Sequence, residues 1–323
     1  MDAIRKRLLE HQLKETLCVD EQIIPFTGRL GMKQYIRGKP CPWGIKLYVL
    51  CGKSGMPYDF IAYQGSSTEI EPSLINKLGF GASITLQLLK RVPQDSAGHQ
   101  VYTDNFFTTY SLLEIFEKRK ILAAGTIRIN RFRNPPLSTD AVMRKKGRGC
   151  AEQVASRDGK VIVTKWFDNK GVYLASNFVG IGIKDKVERY EKKEKRYIEI
   201  DRPEVVQLYN NGMGGVDLLD QMLQHYRIFI KSKKWTPRVI IHFFDMAIVA
   251  SWFEYKADAD KNDIPKKDQM DLLAFRKGLA NTLATISSTF QNENRRGRSS
   301  NTFSEDEQQA PKRLKYFNQP PTT

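Results

Sequence analysis

Two features of this 323-residue sequence could do chemistry without help from cysteine or histidine. Asp104 closes the otherwise apolar run HQVYTDNFF, and Asp217 and Asp220 lie three residues apart in VDLLDQMLQHYR. A strand-ending aspartate is weak on its own, because strand ends meet solvent and aspartate is common in turns. An apolar strand nevertheless projects such a carboxylate from the rim of its sheet, and a helical offset of three puts Asp217 and Asp220 on one face. Two or three such rims brought together make an all-oxygen site that suits Mg²⁺ or Mn²⁺. Two of these ions about 4 Å apart activate an attacking oxygen and neutralise the leaving one during in-line displacement at phosphorus.

Composition supports phosphodiesters as the substrate. With 52 basic against 36 acidic side chains the net charge is +16, a field that attracts polyanions, nucleic acid or an acidic membrane surface. No run of roughly 18 apolar residues is available to span a bilayer. The N-terminal MDAIRKRLLEHQLKETL alternates charge with leucine where a secretory signal needs an unbroken apolar region, so a soluble intracellular protein is expected. Cys18, Cys41, Cys51 and Cys150 form no Cys-x-x-Cys pair, so neither structural zinc nor a disulfide framework is expected. His11, His99, His225 and His242 are scattered, and no G-x-S-x-G elbow accompanies them; they read as core or surface residues rather than catalytic bases.

The elements that must position these carboxylates are legible in outline. LCVDEQIIPF, GIKLYVLCG and PYDFIAYQG read as three successive strands joined by RGKPCPWG and GKSGMP. One helix is predicted across SLINKLGFGASITLQLLKRV, then the strand ending at Asp104. A helix TTYSLLEIFEKRK follows, with Tyr110, Leu113, Ile115 and Phe116 inward, and then a strand ILAAGTIRI. This order predicts an α/β fold, a mixed sheet flanked by helices. Beyond it, NRFRNPPLSTDAVMRKKGRGCAEQ is polar and basic, and KVIVTKWFDNKGVYLASNFVG reads as a hairpin about Asp168 to Gly171. KDKVERYEKKEKRYIEIDRP reads as a solvated face or flexible loop, VVQLYNN as a strand and GMGG as a tight turn before the helix of Asp217. WTPRVIIHFFDMAIVASWFEYKAD and MDLLAFRKGLANTLATISSTF read as packed helices of a bundle, and a disordered tail is expected from Gln291.

Several short segments, in one order, carry a further signal: VDEQIIPFTGR, KPCPWGIKLYVLCG, YTDNFFTTYSLL, GTIRINR and MGGVDLLDQM. The stretch from residue 16 to about 255 thereby resembles the piggyBac-type transposases of the DDE/D class. The resemblance implies a ribonuclease H-like core interrupted by an insertion before its last acidic helix. It implies that Asp20 of D-E-Q, Asp104 of D-N-x-F and Asp217 of G-G-V-D are catalytic ligands of two divalent cations, Mg²⁺ or Mn²⁺, joined by Asp220 of L-D-Q. Asn105, Phe106 and Phe107 are expected to support Asp104, and Glu21 to point to the opposite sheet face from Asp20. The implied activity is metal-dependent DNA cleavage and strand transfer, cut-and-paste, at TTAA-type targets.

Charge is patterned around these motifs. Arg128, Arg131, Arg133, Arg144, Lys145, Lys146 and Arg148 face one acid, Asp140, in their segment, and the stretch from Arg227 to Arg238 has bases and no acid. Arg128 and Arg131 match basic family positions near DNA. Trp235, in KSKKWTPR beside Lys233 and Lys234, resembles a family tryptophan that can stack near the substrate, with core packing as its other reading. The expected partition is a helical remnant over 1–15, core over 16–130, insertion over 131–202, and core again over 203–223. A helical dimerisation or DNA-binding remnant over 224–290 and a tail over 291–323 complete it. DNA is the expected partner, a homodimer is among the expectations, and no membrane is. The nucleus is the expected compartment, with PKRLK at Pro311 to Lys315 readable as a short address or a chance basic cluster. Family members usually carry an N-terminal complement and a cysteine-rich zinc-binding C-terminus. About 15 residues precede the Asp20 motif here, and no cysteine follows Gln291. The alternative expectation is therefore a domesticated or truncated transposon-derived DNA-binding protein without full transposition.

Overall fold

The computed structural model describes residues 1–39, 41–93 and 98–293; of the tail expected from Gln291, the first three residues end a helix, and the rest, with PKRLK, lies outside the described residues. In chain order the elements are α1 (Asp2–Glu10), β1 (Thr16–Pro25), β2 (Gln34–Tyr35), β3 (Trp43–Gly52), β4 (Pro57–Ala62), α2 (Pro72–Leu78), α3 (Phe80–Leu88) and β5 (Gln100–Thr103). Then come α4 (Tyr110–Lys118), β6 (Leu122–Thr126), α5 (Asp140–Lys146), β7 (Ala151–Ala155), β8 (Ile162–Phe167), β9 (Gly171–Ser176), β10 (Asp185–Glu191) and β11 (Arg196–Arg202). The last helices are α6 (Glu204–Gly212), α7 (Gly215–His225), α8 (Trp235–Lys261) and α9 (Leu272–Glu293). Residues Met1–Phe275 form one unit, and Arg276 onward, with the remainder of α9, a second.

The first unit is built on a mixed sheet of order β2-β3-β1-β5-β6-β9-β8-β7, with β4 on β3. β1, β5 and β6 run parallel, while β3 and β4 on one side and β9, β8 and β7 on the other run antiparallel. Central strands of such a sheet are covered on both faces and become continuously apolar. Leu47, Val49, Leu50 and Cys51 of β3 and Leu17, Cys18 and Val19 of β1 are accordingly all buried. The basic segment after β6 thus returns into the same sheet through β7 to β9.

Four expectations need correction. The single helix predicted from Ser73 to Val92 is two, because Gly79 takes φ +83°, a conformation L side chains rarely adopt, and a short 3₁₀ turn (Leu89–Arg91) ends the second. VVQLYNN is not a strand but α6: Pro203 precedes its first turn and Glu204 lies in that turn. Val205 and Val206 bury one face, and α6 packs against β1, β5, β6 and β9. The mixed-charge run is an ordered two-stranded ribbon, β10 with β11, held by Arg202 on Asp185 and by Arg148 and Arg189 on Asp168. α8, expected in a bundle, lays Val239, Phe243, Met246 and Val249 into the core beside β1 and α7.

Candidate active site

Strand register brings the first two acids together. Thr16 to Val19 of β1 pair with Gln100 to Thr103 of β5, so Asp20 and Asp104 are the next two residues on adjacent parallel strands. β5 stops there, while β1 continues to Pro25, paired with β3 alone. The backbone N–H of Glu21 donates to Asp20 Oδ1 at 2.8 Å, and that of Phe106 donates to Asp104 Oδ1 at 2.6 Å. The turn after Asp104 is closed by N–H groups of Phe107 and Thr108 donating to the Asp104 carbonyl. Phe106 and Phe107 pack on Tyr48. Support by turn and packing, expected from the sequence, is what these residues provide.

The second pair arrives on α7. Met213 and Gly214 turn the chain from α6 to α7, and Gly215 sits so close to the sheet that a Cβ would lie 2.4 Å from the Gly52 carbonyl oxygen. This approach sets α7 across β1 and β3, with Val216 and Leu219 buried. Asp217 is exposed and Asp220 half-buried on the same side of the helix. Gln22 Nε2 donates to Asp220 Oδ1 at 2.8 Å, a direct tie between β1 and α7.

The electrostatics mark a cation-seeking site. Desolvation, then the neighbouring charges of Glu21 and Asp104, push Asp20 up to about 7 against the Glu21 N–H and Lys39. Desolvation pushes Asp220 up to about 6, opposed by Gln22, Lys39 and Arg227. Lys39 is drawn in among the acids, its Nζ 3.6 Å from Asp217 Oδ1. Burial lowers its pKa, but the carboxylates of Asp20, Asp217, Asp220 and Glu21 outweigh burial and raise it overall. Among the described residues no three acid, histidine or cysteine side chains close on one point as a metal-ion cluster. Asp20 and Asp104 form one neighbouring pair and Asp217 and Asp220 another, and the Lys39 ammonium lies within reach of Asp20, Asp217 and Asp220. Their oxygen-only chemistry, and the fact that a cation already sits among them, fit a hard divalent ion. Desolvation lifts Cys18, beside them, to about 12, so it stays a thiol. Glu21 points away to Lys46, 3.8 Å off.

The predicted DNA-contact residues divide. Arg128 Nε donates to Asn105 Oδ1 at 2.9 Å, and Arg131 Nη1 donates to the carbonyls of Asn105 and Phe106 at 3.0 and 3.3 Å. Both guanidiniums thus clamp the Asp104 turn while remaining exposed. Lys233 and Lys234 are exposed just before α8, and Trp235, 40% exposed, opens it. A recess of about 390 Å³ lies between Lys233, Arg238, Trp43 and the Pro25 to Gly28 turn that ends β1. Sequence reasoning does not single out Lys39, Gln22 or His242 as participants. Gln22 lies inside the D-E-Q segment and Lys39 in the turn RGKPCPWG, so a signal exists for both. His242, expected to be a core or surface histidine, is buried. No helix among the described residues is long and apolar enough to cross a membrane.

Comparison with known proteins agrees with this architecture. A solved piggyBac transposase, in a synaptic complex with hairpin DNA, superposes with TM-score 0.69 at 21% identity, covering 93% of this chain and 58% of that one. Human PiggyBac transposable element-derived protein 3 is 34% identical over 262 residues, 80% of this chain and 42% of its own length. Human PiggyBac transposable element-derived protein 2 is 27% identical over 287 residues, 88% of this chain and 47% of its own. The chain therefore spans less than half the length of these curated relatives. The profile of the transposase IS4 family matches residues 4–252. On that match, and on its kinship with the piggyBac-derived proteins, the chain belongs to the transposase IS4 family, in its piggyBac-type branch.

Proposed function

We propose that this chain carries the catalytic portion of a piggyBac-type DNA transposase, cutting and rejoining phosphodiesters through Asp20, Asp104, Asp217 and Asp220. The observation that carries the reading is the placement of Asp20 and Asp104 side by side where β5 ends, with Asp220 tied to β1 by Gln22. Transposases of this family use divalent metal ions. Two such ions, Mg²⁺ or Mn²⁺, would supply Lewis acidity at phosphorus and lower the cost of forming an attacking oxyanion. The chain's own residues do the rest. Asp20 and Asp104 would hold a cation beside the phosphodiester, their carboxylates oriented by the N–H groups of Glu21 and Phe106. Asp217 and Asp220 present ligands from α7, and Lys39 balances their charge. DNA would run past the end of β5, with Arg128 and Arg131 on the Asp104 turn and Lys233 beside the end of β1 as phosphate contacts, and with Lys234 and Trp235 following Lys233 in the chain.

The substrate proposed is DNA with transposon ends, joined at TTAA-type targets, and the compartment is the nucleus. A second reading, a transposon-derived DNA-binding protein without full strand chemistry, is favoured by the absence of a three-ligand cluster among the described residues. A nicking assay on transposon-end DNA with Mg²⁺ or Mn²⁺ separates the two. The parent chain is expected to nick and Asp104→Asn to lose at least about 100-fold. Equal activity in both proteins discards the metal mechanism, and binding without nicking in the parent leaves the second reading.

A further inference from the structure

Asp220 is the end of a buried hydrogen-bonded chain that crosses three elements. Gln22, wholly buried in β1, lies two residues beyond Asp20 and therefore on the same sheet face. Its Nε2 donates to Asp220 Oδ1 at 2.8 Å, and its Oε1 faces His242 Nε2 of α8 at 3.0 Å. The chemistry fixes the direction of the chain. An ionised carboxylate only accepts, so the Gln22 amide nitrogen must face Asp220, its oxygen must face the histidine, and His242 must carry its proton on Nε2. His242 is itself buried, and Phe243, next to it, packs at a tilt against Phe60 of β4, ring centroids 4.8 Å apart. The imidazole can move only with the helix that holds it.

From this we infer that Gln22 and His242 are positioning residues: through the amide, α8 fixes the rotamer of Asp220 and so the affinity of the site for its divalent cations. The inference rests on the reading of Asp220 as a ligand. Outer partners of metal ligands commonly act this way, because a carboxylate held in one rotamer loses no freedom on binding the ion. A purely structural role for the pair predicts something different, lost stability with unaltered cation binding.

The test titrates Mn²⁺ alone into the full chain, read by water-proton relaxation, with thermal unfolding measured on each protein. Gln22→Met and His242→Phe are expected to weaken Mn²⁺ binding about 10- to 100-fold, the usual effect of losing an outer partner. His242→Gln keeps an N–H donor and is expected to recover most of the parental affinity. If the apolar variants do not fold, Gln22→Asn, which keeps the amide but withdraws it from Asp220, is expected to weaken binding likewise. Parental Mn²⁺ affinity in whichever of these variants fold, with or without a lower Tm, overturns the inference. Asp220→Asn is run alongside: if it too binds Mn²⁺ like the parent, the assignment of Asp220 as a ligand is what has failed. Weakened binding in Asp220→Asn with none in the Gln22 and His242 variants isolates the failure to the positioning chain.

Discussion

The ammonium of Lys39 stands 3.6 Å from Asp217 Oδ1 and within the field of Asp20 and Asp220, so a charge from the β2–β3 turn occupies the region where the acids would gather a cation. At a pH where the carboxylates are ionised, an ammonium there repels an incoming divalent ion. Lys39→Met is expected to bind Mn²⁺ several-fold more tightly than the parent at pH 8, measured by direct titration. Weaker binding would mean that Lys39 organises the acids and does not compete with the ion.

His242 gives the protein an acid-labile point. Burial, then the charge of Arg227, lowers its pKa to about 3 from the ordinary 6.5. Between those values the unfolded chain binds a proton that the folded chain refuses, so stability is complete above pH 6.5 and is lost as pH falls toward 3. The contribution is up to about 1.4 kcal/mol per pH unit. Urea denaturation from pH 7 to pH 4 should show a shallower decline for His242→Gln than for the parent. Parallel curves would place the acid sensitivity elsewhere.

Arg128 and Arg131 have donors to spare after clamping the Asp104 turn, since each guanidinium carries five N–H groups. Reversing both to glutamate is expected to weaken DNA binding and to reduce the log–log salt slope by about 2, roughly one unit for each phosphate no longer neutralised. Fluorescence anisotropy across a NaCl series checks this. An unchanged slope would confine both arginines to the turn.

Gly215 lets α7 reach the sheet. A Cβ there would stand 2.4 Å from the Gly52 oxygen and 2.8 Å from Cys18 Sγ, approaches to which backbone and a buried thiol cannot yield. Gly215→Ala should cost about 1–3 kcal/mol in chemical denaturation, the usual range for overpacking. Because the helix carries Asp217 and Asp220, Mn²⁺ affinity should fall with it. A variant as stable as the parent would show that α7 can slide.

Much of this site is legible in the sequence, and what is not has physical reasons. The runs around Val19, Val49 and Val101 announce their strands because strands covered on both faces are continuously apolar, and Asp104 stands out against that background. VVQLYNN misleads because two adjacent valines favour extended structure locally, while Pro203, Glu204 and the packing of Val205 and Val206 decide for a helix. Alternating charge in the ribbon of Tyr190 and Tyr197 resembles a solvated loop unless the ion pairs beneath it are known. The Gln22 to Asp220 bond joins residues 198 positions apart, and no local pattern encodes it.

The ladder that sets Val19 opposite Thr103 has an evolutionary corollary. Loops between those strands that carry no residue of the site can gain or lose length, since backbone pairing meters the gap from Asp20 to Asp104. A one-residue deletion within β5, by contrast, turns Asp104 to the other side of the sheet and takes its carboxylate out of the site at a stroke. Descendants of this chain should therefore vary most in linker length and least in strand length.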